Sequence, residues 1–146
     1  MKKIPIILAV LTAINISVFA QCDKKVAWSA SKADFMDEAG NIQDTKNVTV
    51  AIYTNKKEIK ITHSDDVMDT LQGVIKEFSC DWKQPYKNGK TVMKADLMEK
   101  NGEHMNSIIT IEAIESKISI SINMEGPDGK KMVIKIPVDN YKEEKN

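Results

Sequence analysis

Apolar and polar residues alternate in a succession of short runs, VTVAIYT, EIKITH, TVMKADLME, SIITIEA, ISISINM and MVIKIPV, with turn-forming residues between them. Alternation with period two places one set of side chains on each face of a strand, so such a chain must bury one face of a β-sheet. Isoleucine and valine outnumber leucine, which beyond residue 20 occurs only as Leu71 and Leu97. That balance also suits strands.

The turns predict how the strands pair. In Glu125-Gly126-Pro127-Asp128-Gly129-Lys130 a three-residue loop with Gly129 left-handed sets Met124 opposite Met132, Ile122 opposite Ile134 and Ile120 opposite Ile136. A tight turn at Glu115-Ser116 then places Ala113 against Ile118 and Ile111 against Ile120. The Lys100-Asn101-Gly102 loop aligns Leu97 with Met105 and Met93 with Ile109, and the segment 54–59 sets Ile52 opposite Ile61 and Val50 opposite His63. Asn88-Gly89, a strong hairpin dipeptide, predicts Tyr86 opposite Thr91, Trp82 opposite Ala95 and Cys80 opposite Leu97. Residues 24–37 form the expected first strand, with a bulge near Ser31 where the inward set changes from Val26, Trp28 and Ala30 to Ala33 and Phe35.

Consecutive strands therefore share one apolar face, while Lys94, Asp96, Thr110, Glu112, Ser119, Ser121, Asn123 and Lys135 lie on the other. The fold class expected is all-β, an up-and-down antiparallel β-barrel of about eight strands. One short helix is expected between Ile61 and Val74, capped by Ser64-Asp65-Asp66 and closed by Gly73. A continuous strand through Gly73 is the alternative there, and a β-sandwich is the alternative architecture.

Residues 1–20, with Lys2 and Lys3 before an apolar run ending Val18-Phe19-Ala20, read as a secretory signal peptide. Residues 21–139 are the single barrel domain and 140–146 a flexible charged tail. The signal peptide, with its Ala20-Gln21 junction, resembles those of exported proteins of Bacteroidota-type bacteria. Gln21 before Cys22 does not suit a lipidation signal. The expected location is exported, periplasmic or extracellular, with Cys22 and Cys80, the chain's only cysteines, joined as a disulfide.

Composition narrows the function. The chain has no arginine and no basic block, which removes bidentate phosphate recognition and makes nucleic acid an unsuitable partner. No nucleophile elbow, phosphate loop, dinucleotide fingerprint or zinc-helix motif occurs, so no catalytic residue, metal or cofactor is assigned and the protein is expected not to be an enzyme. His63, with Asp65, Asp66 and Asp69, is the one site-like cluster, but its spacing fits no calcium or zinc signature and its acids suit a helix start. His104 is expected to point outward with no acid in register beyond its neighbour Glu103.

An eight-stranded meander with Trp28 near its first strand is similar to the lipocalin or calycin barrels that carry small apolar ligands. Val26-Ala27-Trp28 departs from their Gly-x-Trp pattern, and the arginine that packs over that tryptophan is missing. The resemblance implies a non-enzymatic binding barrel whose lining includes Trp28, Trp82, Tyr86, Met93, Ile109, Ile120 and Ile134, with a small apolar ligand such as a lipid. The competing expectation is a packed β-domain acting as a protein-interaction or adhesion module. Clustering of the outward apolar residues Val92, Met98, Ile108 and Ile114 would favour it.

Overall fold

In the computed structural model, which describes residues 22–64, 70–126 and 128–144, alternating segments become eleven strands of one antiparallel sheet. They are β1 (Lys25–Ala30), β2 (Ala33–Met36), β3 (Ile42–Lys46), β4 (Val50–Thr54), β5 (Glu58–His63), β6 (Leu71–Gln84), β7 (Asn88–Met98), β8 (His104–Ile114), β9 (Lys117–Glu125), β10 (Lys131–Pro137) and β11 (Asn140–Glu144). Their hydrogen-bond order is β11-β1-β4-β5-β6-β7-β8-β9-β10-β2-β3, open at β11 and β3. The fold is all-β, but the expected count of about eight strands is corrected to eleven.

The difference has a local cause. The expected first strand, 24–37, is interrupted at Ser31-Lys32, and two unexpected strands, β3 and β11, adjoin β4 and β10 across short breaks at 47–49 and at Val138-Asp139. The break at Ser31 falls where the inward set changes parity, as the bulge reading required. Residues 140–144, expected as a free tail, form β11 against β1, with Trp28 opposite Tyr141. Ser29 pairs with Asn140 and Asp34 with Lys135, five positions on in one segment and five back in the other. One register therefore runs through both ladders across the two breaks.

The helix is corrected as well. Residues 65–69 lie outside the described ones, but Leu71-Gln72-Gly73 open β6 and pair with β5. Gly73 serves there by having no side chain: a Cβ would stand 2.5 Å from Leu97 Cδ2 and 2.9 Å from the Asp96 carbonyl oxygen.

Four hairpins have the expected register. Met124–Met132, Ile122–Ile134 and Ile120–Ile136 are paired around the Gly129 turn, where Gly129 has φ 75°. Ala113 faces Ile118, Leu97 faces Met105, and Ile52 faces Ile61. Their inward side chains make one core in which Ile52, Ile59, Met93, Leu97, Ile109, Ile120 and Ile122 are the largest fully buried.

The β6–β7 hairpin is different. Cys80 faces Thr91 and Trp82 faces Gly89, because the chain turns at Pro85-Tyr86-Lys87 and Asn88-Gly89 lies inside β7. A hairpin dipeptide is here a close-approach glycine: with φ 142°, a Cβ on Gly89 would stand 2.4 Å from the Asp81 carbonyl oxygen and 2.6 Å from Trp82 Cα. Gly89→Ala is therefore expected to destabilise the domain by about 2 to 4 kcal/mol through overpacking and backbone strain. Gly102→Ala, with open space around it, carries strain alone and should cost about 1 to 2 kcal/mol. Urea unfolding of the two variants checks the order; equal midpoints would contradict the Trp82–Gly89 packing.

Candidate functional site

Three of the expected ligand-lining residues, Trp28, Trp82 and Tyr86, converge at one end of the sheet. Trp28 on β1 donates its indole N–H to Thr54 Oγ1 on β4 at 2.9 Å, and Trp82 on β6 donates to Thr91 Oγ1 on β7 at 2.9 Å. Both indoles belong inside for their size, and each threonine relieves the cost of burying an N–H. Tyr86, at the β6–β7 turn, meets Trp28 and Trp82 edge-on with centroids 5.6 and 5.8 Å away, and Tyr141 lies 4.4 Å from it. Tyr86 Oη donates to Glu143 Oε1 at 3.0 Å.

Tyr86 holds φ 53°, a left-handed conformation that costs a bulky residue about 1 to 2 kcal/mol. Each of its ring contacts offsets about 0.5 to 1.5 kcal/mol. The tertiary cluster thus fixes a turn that local propensity would not choose. Beside it Cys22 and Cys80, 58 positions apart in sequence, form a disulfide with Cα atoms 6.0 Å apart, closing a loop worth about 4 kcal/mol on the chain-entropy model. The pair expected from the sequence is present and is compatible with an oxidising compartment.

Trp28, Trp82, Tyr86 and Met93 border a small cleft of about 30 Å³ together with Phe78, Thr54 and Thr91. Ile109, Ile120 and Ile134 are buried in the same core but do not border that space. A space of this size accommodates about one water molecule.

The larger hollows lie on the outer face. One, of about 540 Å³, is bordered by Tyr53, Val74, Met98 and His104; the other, of about 650 Å³, by Lys94, Ile108, Asn123, Met132 and Val133. A row of paired residues crosses the second: Lys94–Ile108, Ile108–Asn123, Asn123–Val133, Val133–Met36 and Met36–Ile42. Ile108 is 44% and Ile42 59% exposed, and with the half-buried Val133 and Met36 they make a largely apolar stripe, interrupted by Asn123 and ended by Lys94. Of the outward residues expected to cluster, Val92 is diagonal to Ile108, whereas Met98 borders the first groove and Ile114 a separate hollow. The expected set does not form one patch. Met36, Ile42 and Val133 supply the stripe instead, and only the β2–β10 and β2–β3 pairings reveal them.

His104 is corrected from an unpartnered surface residue. Asp96 Oδ1 lies 3.0 Å from its Nδ1, diagonally across the β7–β8 ladder, and Lys76 Nζ lies 3.3 Å from Asp96 Oδ2. The trio separates the two outer grooves. His63 is half-buried at the end of β5 opposite Val50, while Asp65, Asp66 and Asp69 fall outside the described residues. Among the described residues no three metal-capable side chains gather, and no helix there is long and apolar enough to cross a membrane.

No family model, curated protein or solved structure matches this chain.

Hydrogen bonds from His104 and then Lys76 hold the Asp96 carboxyl below the usual aspartate value. A carboxylate depressed in the folded state contributes stability above its unfolded pKa of about 3.9 and loses it as pH falls through the lower folded value. In a carboxyl NMR titration Asp96 should therefore titrate below free aspartate, and His104→Ala should raise its midpoint. An unchanged midpoint would show that the His104 contact is absent in solution.

Proposed function

We propose that this protein is an exported, packed β-domain that works through its outer face as a protein-interaction module. The carrying observation is the contrast between interior and exterior. Trp28, Trp82, Tyr86 and Met93 border a space of only about 30 Å³ and Ile109, Ile120 and Ile134 are buried in the core, whereas Ile108 and Ile42 stand exposed on the outer face. Pockets for small apolar ligands run to about 300 Å³ and more.

The barrel architecture belongs to the same proposal. Joining β1 with β2, β3 with β4 and β10 with β11 leaves eight segments in meander order. The common register of the first segment against the last supports their wrapping into an up-and-down barrel. Such wrapping gives the solid interior a continuous wall and leaves recognition to the outside. The stripe suits a protein partner that presents aliphatic side chains between polar ones, since Lys94 with Glu77 at 2.7 Å borders it on one side and Met132 adds an adaptable rim. Export is supported by the disulfide and by the signal-like residues 1–20.

A photo-crosslinking side chain placed at Val133 in the producing cell should capture one defined protein. Ile108→Lys should abolish that product, whereas Ile114→Lys, off the stripe, should leave it intact. Native mass spectrometry of the same protein should show the bare polypeptide. A stoichiometric lipid adduct, or capture insensitive to Ile108→Lys, overturns the reading.

A further inference from the structure

The chain contains the dipeptide Asn-Gly at 88–89 and at 101–102, and the fold treats the two copies differently. Asn88 and Gly89 are inside β7, paired with β6 on one side and, at Gly89, with β8 on the other. Asn101 and Gly102 are exposed in the β7–β8 turn, with Gly102 at φ 86° and nothing within 4 Å of where its Cβ would be. We propose that Asn101 is a site of spontaneous modification, a timed conversion to aspartate and isoaspartate from which the fold shields Asn88.

The chemistry needs only the chain and water. The Gly102 backbone nitrogen attacks Asn101 Cγ, a C–N bond forms, and the side-chain nitrogen leaves as ammonia after gaining a proton. The resulting five-membered imide is opened by water at either carbonyl, giving aspartate or isoaspartate, with no change of oxidation state. The attacking nitrogen must lose its proton and swing toward the side chain, which requires freedom at the following residue. Glycine provides it most readily.

The turn supplies further groups. The Glu103 backbone N–H donates to Asn101 Oδ1 at 2.8 Å, where negative charge develops as Cγ is attacked. Asn101 Nδ2 donates to Glu99 Oε2 at 3.2 Å and Glu103 Oε2 at 3.5 Å, so carboxylates flank the departing nitrogen. One contact opposes reaction: Gly102 N–H donates to the Glu99 carbonyl at 2.9 Å. That bond closes a surface turn and breaks on local opening, whereas freeing Gly89 requires parting two ladders and disturbing Trp82. Asn88 Oδ1 also accepts a backbone N–H, from Glu115 at 3.1 Å, so ladder confinement rather than carbonyl polarisation separates the two sites.

The product matters where it sits. It exchanges an amide donor for a third carboxylate between Glu99 and Glu103, and Met98 and His104 beside the turn border the first outer groove. The conversion therefore alters the charge and, as isoaspartate, the backbone length at a groove rim.

The folded protein is incubated at mildly alkaline pH, digested and mapped by mass spectrometry with isoaspartate-resolving fragmentation, beside a sample in denaturing urea. In urea the two sites should react at similar rates. In the folded protein Asn101 should react about tenfold or more faster than Asn88. Gly102→Ala should slow Asn101 alone, and Asn101→Gln should remove the modification while preserving the unfolding midpoint within the range of surface substitutions. Equal folded-state rates at both sites, or reaction confined to Asn88, overturns the proposal.

Discussion

The parity of the hairpin registers underlies all the rest of the structure. In the β8–β9 and β9–β10 ladders the register is unbroken, so a slip of one position would turn Ile118, Ile120 and Ile122 outward together. Burial of such side chains is worth about 1.5 to 3 kcal/mol each, which makes one wrong turn comparable with the whole stability of a small domain. Gly129 at φ 75° and the Glu115-Ser116 pair at 49° and 67° are the local conformations that keep parity on either side of β9. The two breaks at Ser31 and Val138 do the same over a longer range, since they let bent segments stay in one register with each other.

Those local devices explain why much of the fold was legible in the sequence. A three-residue loop ending in glycine, or a two-residue turn, sets register through backbone geometry alone. The β6–β7 hairpin was not legible for a related reason. Asn88-Gly89 has the composition of a turn, but Pro85-Tyr86-Lys87 does the turning, and what stabilises Tyr86 in a left-handed conformation is its contact with Trp28, Trp82 and Tyr141. Trp28 and Tyr141 are distant in sequence, so no local pattern announces the full cluster. Gly73 likewise read as a helix stop because its reason for being glycine, the Leu97 side chain, is on another strand.

The candidate site divides along the same line. Inward residues such as Trp28, Met93 and Ile120 were identified by alternation, and the disulfide followed from cysteine count and compartment. Alternation places a side chain inside without stating whether the interior is hollow. Outward, alternation identified Ile108 but not its neighbours, because Met36 and Ile42 join it only through ladders closed by chain segments far apart. Tyr141 and Glu143 were missed since the run Asn140-Tyr141-Lys142-Glu143-Glu144 has the composition of a solvated tail. All five are exposed, and it is pairing with β1 rather than burial that orders them.

On the proposed reading, a filled interior changes what such a sheet can be selected to do. In a hollow barrel the inward residues answer to two demands, packing and ligand fit, so polar groups placed for a ligand would interrupt the core. Here Thr54 and Thr91 each serve an indole, Asp34 accepts from the Thr45 hydroxyl at 2.7 Å, and the Ser107 hydroxyl donates to the Met105 carbonyl at 3.2 Å. On that reading the inward face serves stability. The outward face carries what packing does not require: exposed aliphatic side chains across β8, β10, β2 and β3, and an ion-paired trio between grooves. Exposing apolar side chains forgoes the gain of burying them, and nothing within the described fold offsets that along the stripe. A partner that covers the stripe would recover it.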